Sequence, residues 1–207
     1  MKPVRILIFA KEPKAGFSKT RLIPALGAQG AAALALRLLT QTLHETIASE
    51  VGLVELCVTP LRSEAAWRAL GVPQRVDLTD QGEGDLGARM ARAAARTLAA
   101  GESVLLVGTD CPQLDAVQLQ QAAKALRTAD ATLIPALDGG YVLLGLNRFD
   151  ATVFSNITWS TSTVAAVTQE RFRLLGWRVK TLAALPDIDE PADLQYLPQQ
   201  WGVKATG

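Results

Sequence analysis

Apolar residues run along the 207-residue chain in two rhythms. Short β-branched and leucine-rich runs, at Arg5–Phe9, Leu53–Val58, Ser103–Val107, Thr132–Pro135, Tyr141–Leu146 and Arg178–Leu182, have the length and make-up of buried strands. Between them, apolar positions return every three or four residues, the helical period. The strongest such stretch, Ala28 to Ala48, carries Ala32, Leu36, Leu39, Leu43 and Ile47 on one stripe and predicts a crossover helix. Asp85 to Ala99 repeats the pattern through Leu86, Met90, Ala94 and Leu98. A third helix starts at Asp115, where Gln118 completes a capping box, and a fourth spans Thr163 to Leu175 and stops at Gly176.

Strands separated by helices must mostly run parallel, so the pattern predicts an α/β, Rossmann-type, three-layer fold read as β-α-β throughout. No repeat, low-complexity segment or Pro/Gly/Ser linker divides the chain, and residues 1–207 are expected to form a single domain. In open parallel sheets the ligand sits beyond the carboxyl ends of the strands, which puts the chemistry in the loops that follow them.

Composition narrows the function. Hydrophobic residues make up 49% of the chain, enough for a sizeable core. Lys and Arg number 21 against 20 Asp and Glu, so no long-range field draws nucleic acid or an anionic membrane, and any anion must be bound locally. Cys57 and Cys111 have neither zinc nor disulfide spacing, which fits a reducing cytoplasm. The apolar run Val4 to Ala10 is too short for a signal sequence or a membrane span. His44 is the single histidine, so serine–histidine triads and multi-histidine metal sites are excluded.

The loop after the first strand gathers Lys11, Lys14, Lys19 and Arg21 with Gly16, Ser18 and Thr20. Such a set suits a polyphosphate: Gly16 allows close backbone approach, Lys19 neutralises charge, and the Arg21 fork matches phosphate oxygens. It is not a Walker loop, because Ser18 and not glycine precedes Lys19. A plain solvated basic loop is the competing reading. Gly82-Glu83-Gly84-Asp85-Leu86-Gly87 satisfies G-x-G-x-x-G formally, but it does not follow the first strand, and Glu83 and Asp85 would repel a pyrophosphate. Asp85 either caps the next helix or, with Gly84, lines a nucleotide or acceptor pocket.

Asp110, in Gly108-Thr109-Asp110-Cys111-Pro112, closes a buried strand, where a hard divalent ion would be held; a turn aspartate is the alternative. Cys111 has no obvious base beside it and is not read as a nucleophile. Asp138-Gly139-Gly140-Tyr141 offers backbone amides to a ligand, or simply makes a hairpin turn. Asp187, Asp189, Glu190 and Asp193 cluster before a helix beginning at Pro191; capping accounts for one or two of these acids, and another could reach a metal.

Taken together, FAKEPKAGFSKTRL, GEGDLGARM, GTDCPQLD, DGGYVLLGL, ITWSTSTV and DIDEPADL, across about residues 4 to 197, resemble a bacterial family of GT-A-like transferases known as radical-SAM/selenodomain-associated or arsenosugar-type glycosyltransferases. The first motif also resembles that of 2-phospholactate guanylyltransferase, and DIDEPADL is similar to the D-x-x-x-P-E-D-L ending of sugar nucleotidyltransferases. The resemblance implies a GT-A, nucleotide-diphospho-sugar-transferase-like fold, a nucleoside triphosphate or nucleotide-sugar donor, a small-molecule acceptor, and Mg2+ or Mn2+. By position it implies that Lys11, Gly16, Lys19, Thr20, Arg21, Gly84 and Asp85 hold the nucleotide. Asp110 and Asp189 would bind the metal, and Lys19, Arg21 and Asp110 would act in catalysis. Asp138, Gly139, Gly140, Tyr141, Trp159 and Thr161 would face the acceptor. The chain lacks the L-x-G-G-x-x-x-R-M opening of the nucleotidyltransferases and has GTDCP where glycosyltransferases show D-x-D, so nucleotidyl and glycosyl transfer both stay open. A non-catalytic nucleotide-sensing module is the reading from another class.

Overall fold

The structure, a computed structural model, describes residues 2–60 and 64–203. Its strands are β1 (Val4–Lys11), β2 (Gly52–Thr59), β3 (Asp77–Asp80), β4 (Ser103–Val107), β5 (Ala131–Pro135), β6 (Tyr141–Leu146) and β7 (Val179–Thr181). They form one sheet in the order β3-β2-β1-β4-β6-β5-β7. Its helices are α1 (Ile23–Ala48), α2 (Glu64–Arg68), α3 (Leu86–Ala99), α4 (Ala116–Ala125) and α5 (Val164–Leu174). The α/β, mostly parallel, three-layer reading holds. Along β1, Ile6, Ile8 and Ala10 face a core shared with α1, α2 and α4, while Leu7 faces the core under α3 and α5. That is the period-two alternation of a strand covered on both faces.

One expectation is corrected. The β-α-β order fails between β5 and β6, which are antiparallel neighbours, and β6 is also antiparallel to β4. Residues 136–140 are too few for a parallel crossover, which takes roughly a dozen. The glycines there make a hairpin: Gly139 N–H donates to Ala136 O (3.2 Å) and Gly140 N–H to Asp138 Oδ1 (2.7 Å). β3 and α2 escape the periodicity because β3, Asp77-Leu78-Thr79-Asp80, is a polar edge strand paired on one side only.

Helix α1 forms as expected from Ala28 onward, but of the expected stripe Leu39 and Leu43 are buried while Ala32, Leu36 and Ile47 are half-buried, and Ala31, Leu34 and Leu38 complete the inward face. Gly27 leaves the helical region (φ 70°, ψ 164°), so the first turn is kinked away from the rest. Residues 20–48 are long enough to cross a membrane, and an 18-residue window within them, of mean hydropathy 1.5, is apolar enough by composition. Their stripe is nonetheless occupied within the protein: Leu39 and Leu43 pack on the sheet, and Ala31, Leu34 and Leu38 enclose Leu22 and Ile188 in a small core with the C-terminal segment.

In the register of β1 on β4, Val4 lies opposite Ser103 and Ile8 opposite Val107, and β1 runs on past the end of β4 to Lys11. This puts the basic loop after β1 beside the segment that begins at Gly108.

A buried acid ties the other end of the sheet. Glu55 is 1% exposed on the α3 face of β2, where an apolar residue would be usual. Arg96 holds it with two bonds (2.5 and 3.2 Å) and Thr79 with one of 2.6 Å. Burial pushes the Glu55 carboxyl up, but the bonds from Arg96 and Thr79 outweigh it and hold the pKa below its ordinary 4.5. A depressed folded pKa stabilises the fold above pH 4.5, and that contribution is lost as pH falls through the folded value. Glu55→Gln should therefore lower stability near neutrality by roughly 2 kcal/mol. Thermal melts of variant and wild type should converge as pH falls below 4.5; a constant gap across that range would show that the charge is irrelevant.

Candidate active site

At the carboxyl ends of β1 and β4 a cavity of about 460 Å³ opens. Lys19 is its centre. Its backbone lies in the left-handed region (φ 48°, ψ 44°), uncommon for a residue with a side chain. Its side chain is only 7% exposed. The ammonium lies 2.7 Å from Asp110 Oδ1 and 3.5 Å from Asp189 Oδ1, and it donates to Ile188 O. Arg21 Nη1 lies 2.7 Å from Asp189 Oδ2. Ile188 N–H in turn donates to Asp110 O (2.8 Å), which straps the C-terminal segment over the end of β4.

The basic loop is preformed. Ser18 closes it by donating to Lys14 O (3.0 Å) and accepting from Lys14 N–H (3.1 Å), with Gly16 at φ 79° in the turn. Buried Gln81 bolts the floor: its amide donates to Ala10 O (3.1 Å) and Cys57 O (2.9 Å), joining the ends of β1 and β2.

The C-terminal acids divide by role. Asp193 Oδ2 accepts from the N–H groups of Asp189 and Glu190, and Glu190 shares a capping box with it at the short 3-10 helix Pro191–Tyr196. Asp187 and Asp189 instead line the cavity. Burial pushes the Asp187 carboxyl up to about 6, and repulsion from Asp138, Asp110 and Asp193 adds to this. Among the described residues no group of three or more His, Cys, Asp or Glu side chains is placed to hold a metal. Asp110 and Asp189, which already share one cation, fit a hard ion of the kind that takes one or two carboxylates and completes its shell with phosphate and water.

Of the residues singled out in the sequence, Lys11, Lys19, Arg21, Asp110 and Asp189 line the cavity, and so do Asp138, Gly140, Tyr141, Trp159 and Thr161. Gly16, Thr20, Gly84, Asp85 and Gly139 are not among its lining residues. Asp85 caps α3, accepting from Ala88 N–H at 2.8 Å, and Gly84 O accepts from Arg89 Nε at 2.9 Å. The amides of Gly139 and Gly140 are engaged in the hairpin and so are not offered to a ligand. Gly139 is required there: it has φ 95°, and a Cβ would stand 2.0 Å from Ser162 O. Phe9, Gln81, Met90 and Ser160 also line the cavity but were not singled out, because an apolar strand residue or a helix-stripe methionine carries no signal beyond core.

Comparison with known proteins bears on the family and the fold. The family described as "Uncharacterized protein conserved in bacteria (DUF2064)" matches residues 42–161. A protein of Desulfovibrio desulfuricans G20, provisionally named a nucleotide-diphospho-sugar transferase, is 31% identical with a TM-score of 0.88, over 97% of this chain and 88% of its own. A 4-diphosphocytidyl-2C-methyl-D-erythritol synthase of Anaerococcus prevotii DSM 20548 shares the fold at 13% identity and TM-score 0.60, over 98% and 99% of the two chains. So does Rv0371C of Mycobacterium tuberculosis H37Rv in complex with manganese, at 18% identity and TM-score 0.52, over 96% and 99%. No protein of curated function matches. The chain belongs to the bacterial DUF2064 family and has the fold of nucleotide-diphospho-sugar transferases and cytidylyltransferases.

Proposed function

We propose that this protein is a metal-dependent transferase that uses a nucleoside triphosphate or a nucleotide sugar as donor and modifies a small-molecule acceptor. The observation that carries the reading is the convergence of Lys19, Arg21, Asp110 and Asp189 at the mouth of β1 and β4. Support comes from the 31% identical relative named, provisionally, for nucleotide-diphospho-sugar transfer, and from the manganese complex of a protein with the same fold.

Asp110 and Asp189 would hold Mg2+ or Mn2+, which when bound offsets phosphate charge and polarises a phosphoryl oxygen. The chain's own residues do the rest. Lys11, Lys19 and Arg21 present cations to the donor phosphates from a loop whose shape is set before binding, so little reorganisation accompanies the reaction. Asp110, in the middle of the sheet, stands between this loop and the β6 side, where Asp138, Tyr141, Trp159 and Thr161 face the acceptor. An acceptor oxygen then displaces either pyrophosphate from the α-phosphorus or a nucleoside diphosphate from the anomeric carbon.

A thermal-shift panel of nucleoside triphosphates and nucleotide sugars, with Mg2+ or Mn2+, should identify the donor as the compound that raises the melting temperature only with metal. Metal-independent stabilisation without turnover would instead indicate a nucleotide sensor. With the donor in hand, pyrophosphate as product indicates nucleotidyl transfer and nucleoside diphosphate indicates glycosyl transfer. Asp110→Asn and Lys19→Met should each lower kcat on the order of 10²–10³-fold. Near-wild-type turnover by Asp110→Asn would refute the mechanism. Chelation should abolish activity in the wild type, and added Mn2+ should restore it.

A further inference from the structure

The cavity changes character across its width. On the β1 side it is lined by cations and carboxylates; on the β6 side Leu86, Met90, Tyr141 and Trp159 make an apolar patch beside Asp138, Ser160 and Thr161, and Phe9 lines the cavity as well. This patch contains one hydrogen-bond donor without an adequate partner. The Tyr141 hydroxyl is desolvated, which pushes its pKa up, and among the described residues its hydrogen-bond contact is Met90 Sδ at 3.9 Å, a weak acceptor. Trp159 Nε1, unpartnered among the described residues, is packed against Gly87 of α3 and is not offered to the cavity. Each such group costs stability, on the order of 1–3 kcal/mol, unless a partner is supplied.

Both rings are held in place. They meet edge to face, centroids 6.5 Å apart at 88°. The indole edge rests on the first turn of α3, where only glycine fits, since a Cβ on Gly87 would stand 2.8 Å from Trp159 Nε1 and Cζ2. The neighbouring Ser160, which also lines the cavity, takes a left-handed φ of 61°. Strain at Ser160 and a weakly partnered hydroxyl at Tyr141, both in residues that line the cavity, point to a binding surface.

Building on the transferase reading, we propose that the β6-side half of the cavity receives the acceptor, and that the acceptor presents there a broad apolar face with a hydrogen-bond-accepting oxygen or nitrogen to which the Tyr141 hydroxyl donates. Hydroxyls laid directly against Leu86, Met90 and the Trp159 ring would be left unsatisfied, whereas Asp138, Ser160 and Thr161 can serve polar groups at the edge of the patch. A donor nucleobase offers similar chemistry, and the test separates the two sources.

The probe is benzamide, which has a planar apolar face and one carbonyl, with acetamide as the carbonyl without the face. Heteronuclear NMR titration of the full chain should show benzamide binding in the millimolar range and no binding of acetamide at equal concentration. Tyr141→Phe should weaken benzamide roughly tenfold, without lowering the melting temperature of the free protein and without changing the affinity for the donor with Mg2+. A hydroxyl serving only the fold would behave oppositely, lowering the melting temperature and leaving benzamide unaffected, and that result overturns the proposal. So does absence of benzamide binding to the wild type. Displacement of benzamide by cytidine or uridine, with matching loss of triphosphate affinity in Tyr141→Phe, would assign this half to the donor base and overturn the acceptor assignment. If no nucleotide binds the wild type but the benzamide pattern holds, the pocket chemistry stands and the transferase reading fails.

Discussion

One ammonium joins three parts of the chain that are far apart in sequence. Lys19 comes from the loop after β1, Asp110 from the end of β4, and Ile188 and Asp189 from the C-terminal segment; all three meet at its Nζ. Two carboxylates so placed would repel each other, and the largely buried Lys19 cation between them offsets that repulsion while both acids keep contact with solvent. The left-handed backbone at Lys19 is consistent with this, because such strain persists only where the surroundings over-determine it.

The topology separates the two halves of the cavity. In the order β1-β4-β6, β4 lies between the strand that leads into the cationic loop and the strand that begins with Tyr141. Asp110 thus sits between the two halves. The antiparallel β6 matters here, because its amino end, and not its carboxyl end, lies beside the carboxyl end of β4, with Val107 opposite Leu143. A hairpin can therefore deliver Asp138 and Tyr141 to the site without another crossover helix.

Much of this was legible residue by residue. The loop after β1 stood out because four cations with one glycine and two hydroxyls seldom collect in a connection without an anion to bind. The four C-terminal acids illustrate where legibility stops. Each is a carboxylate in one short segment, and whether it caps or lines is set by which way the strap from Leu185 to Ile188 turns over β4. That strap is fastened by long-range bonds, Leu185 N–H to Pro135 O (3.0 Å) and Ile188 N–H to Asp110 O (2.8 Å), which leave no trace in local sequence. Asp85 shows the same limit: its place before a helical stripe allowed capping or a nucleotide pocket, and the structure shows the cap on α3.

The sequence by itself determined the layers, the strands buried on both faces and the loop that concentrates positive charge, because these depend on local periodicity and residue type. Only the tertiary structure decided that β6 runs against its neighbours, that the amides of Gly139 and Gly140 are committed to a turn, and that an apolar patch with a weakly partnered hydroxyl lines the same cavity as the carboxylates. Those outcomes rest on pairing and burial between residues tens of positions apart, where every candidate partner of the right chemistry looks alike until the chain has folded.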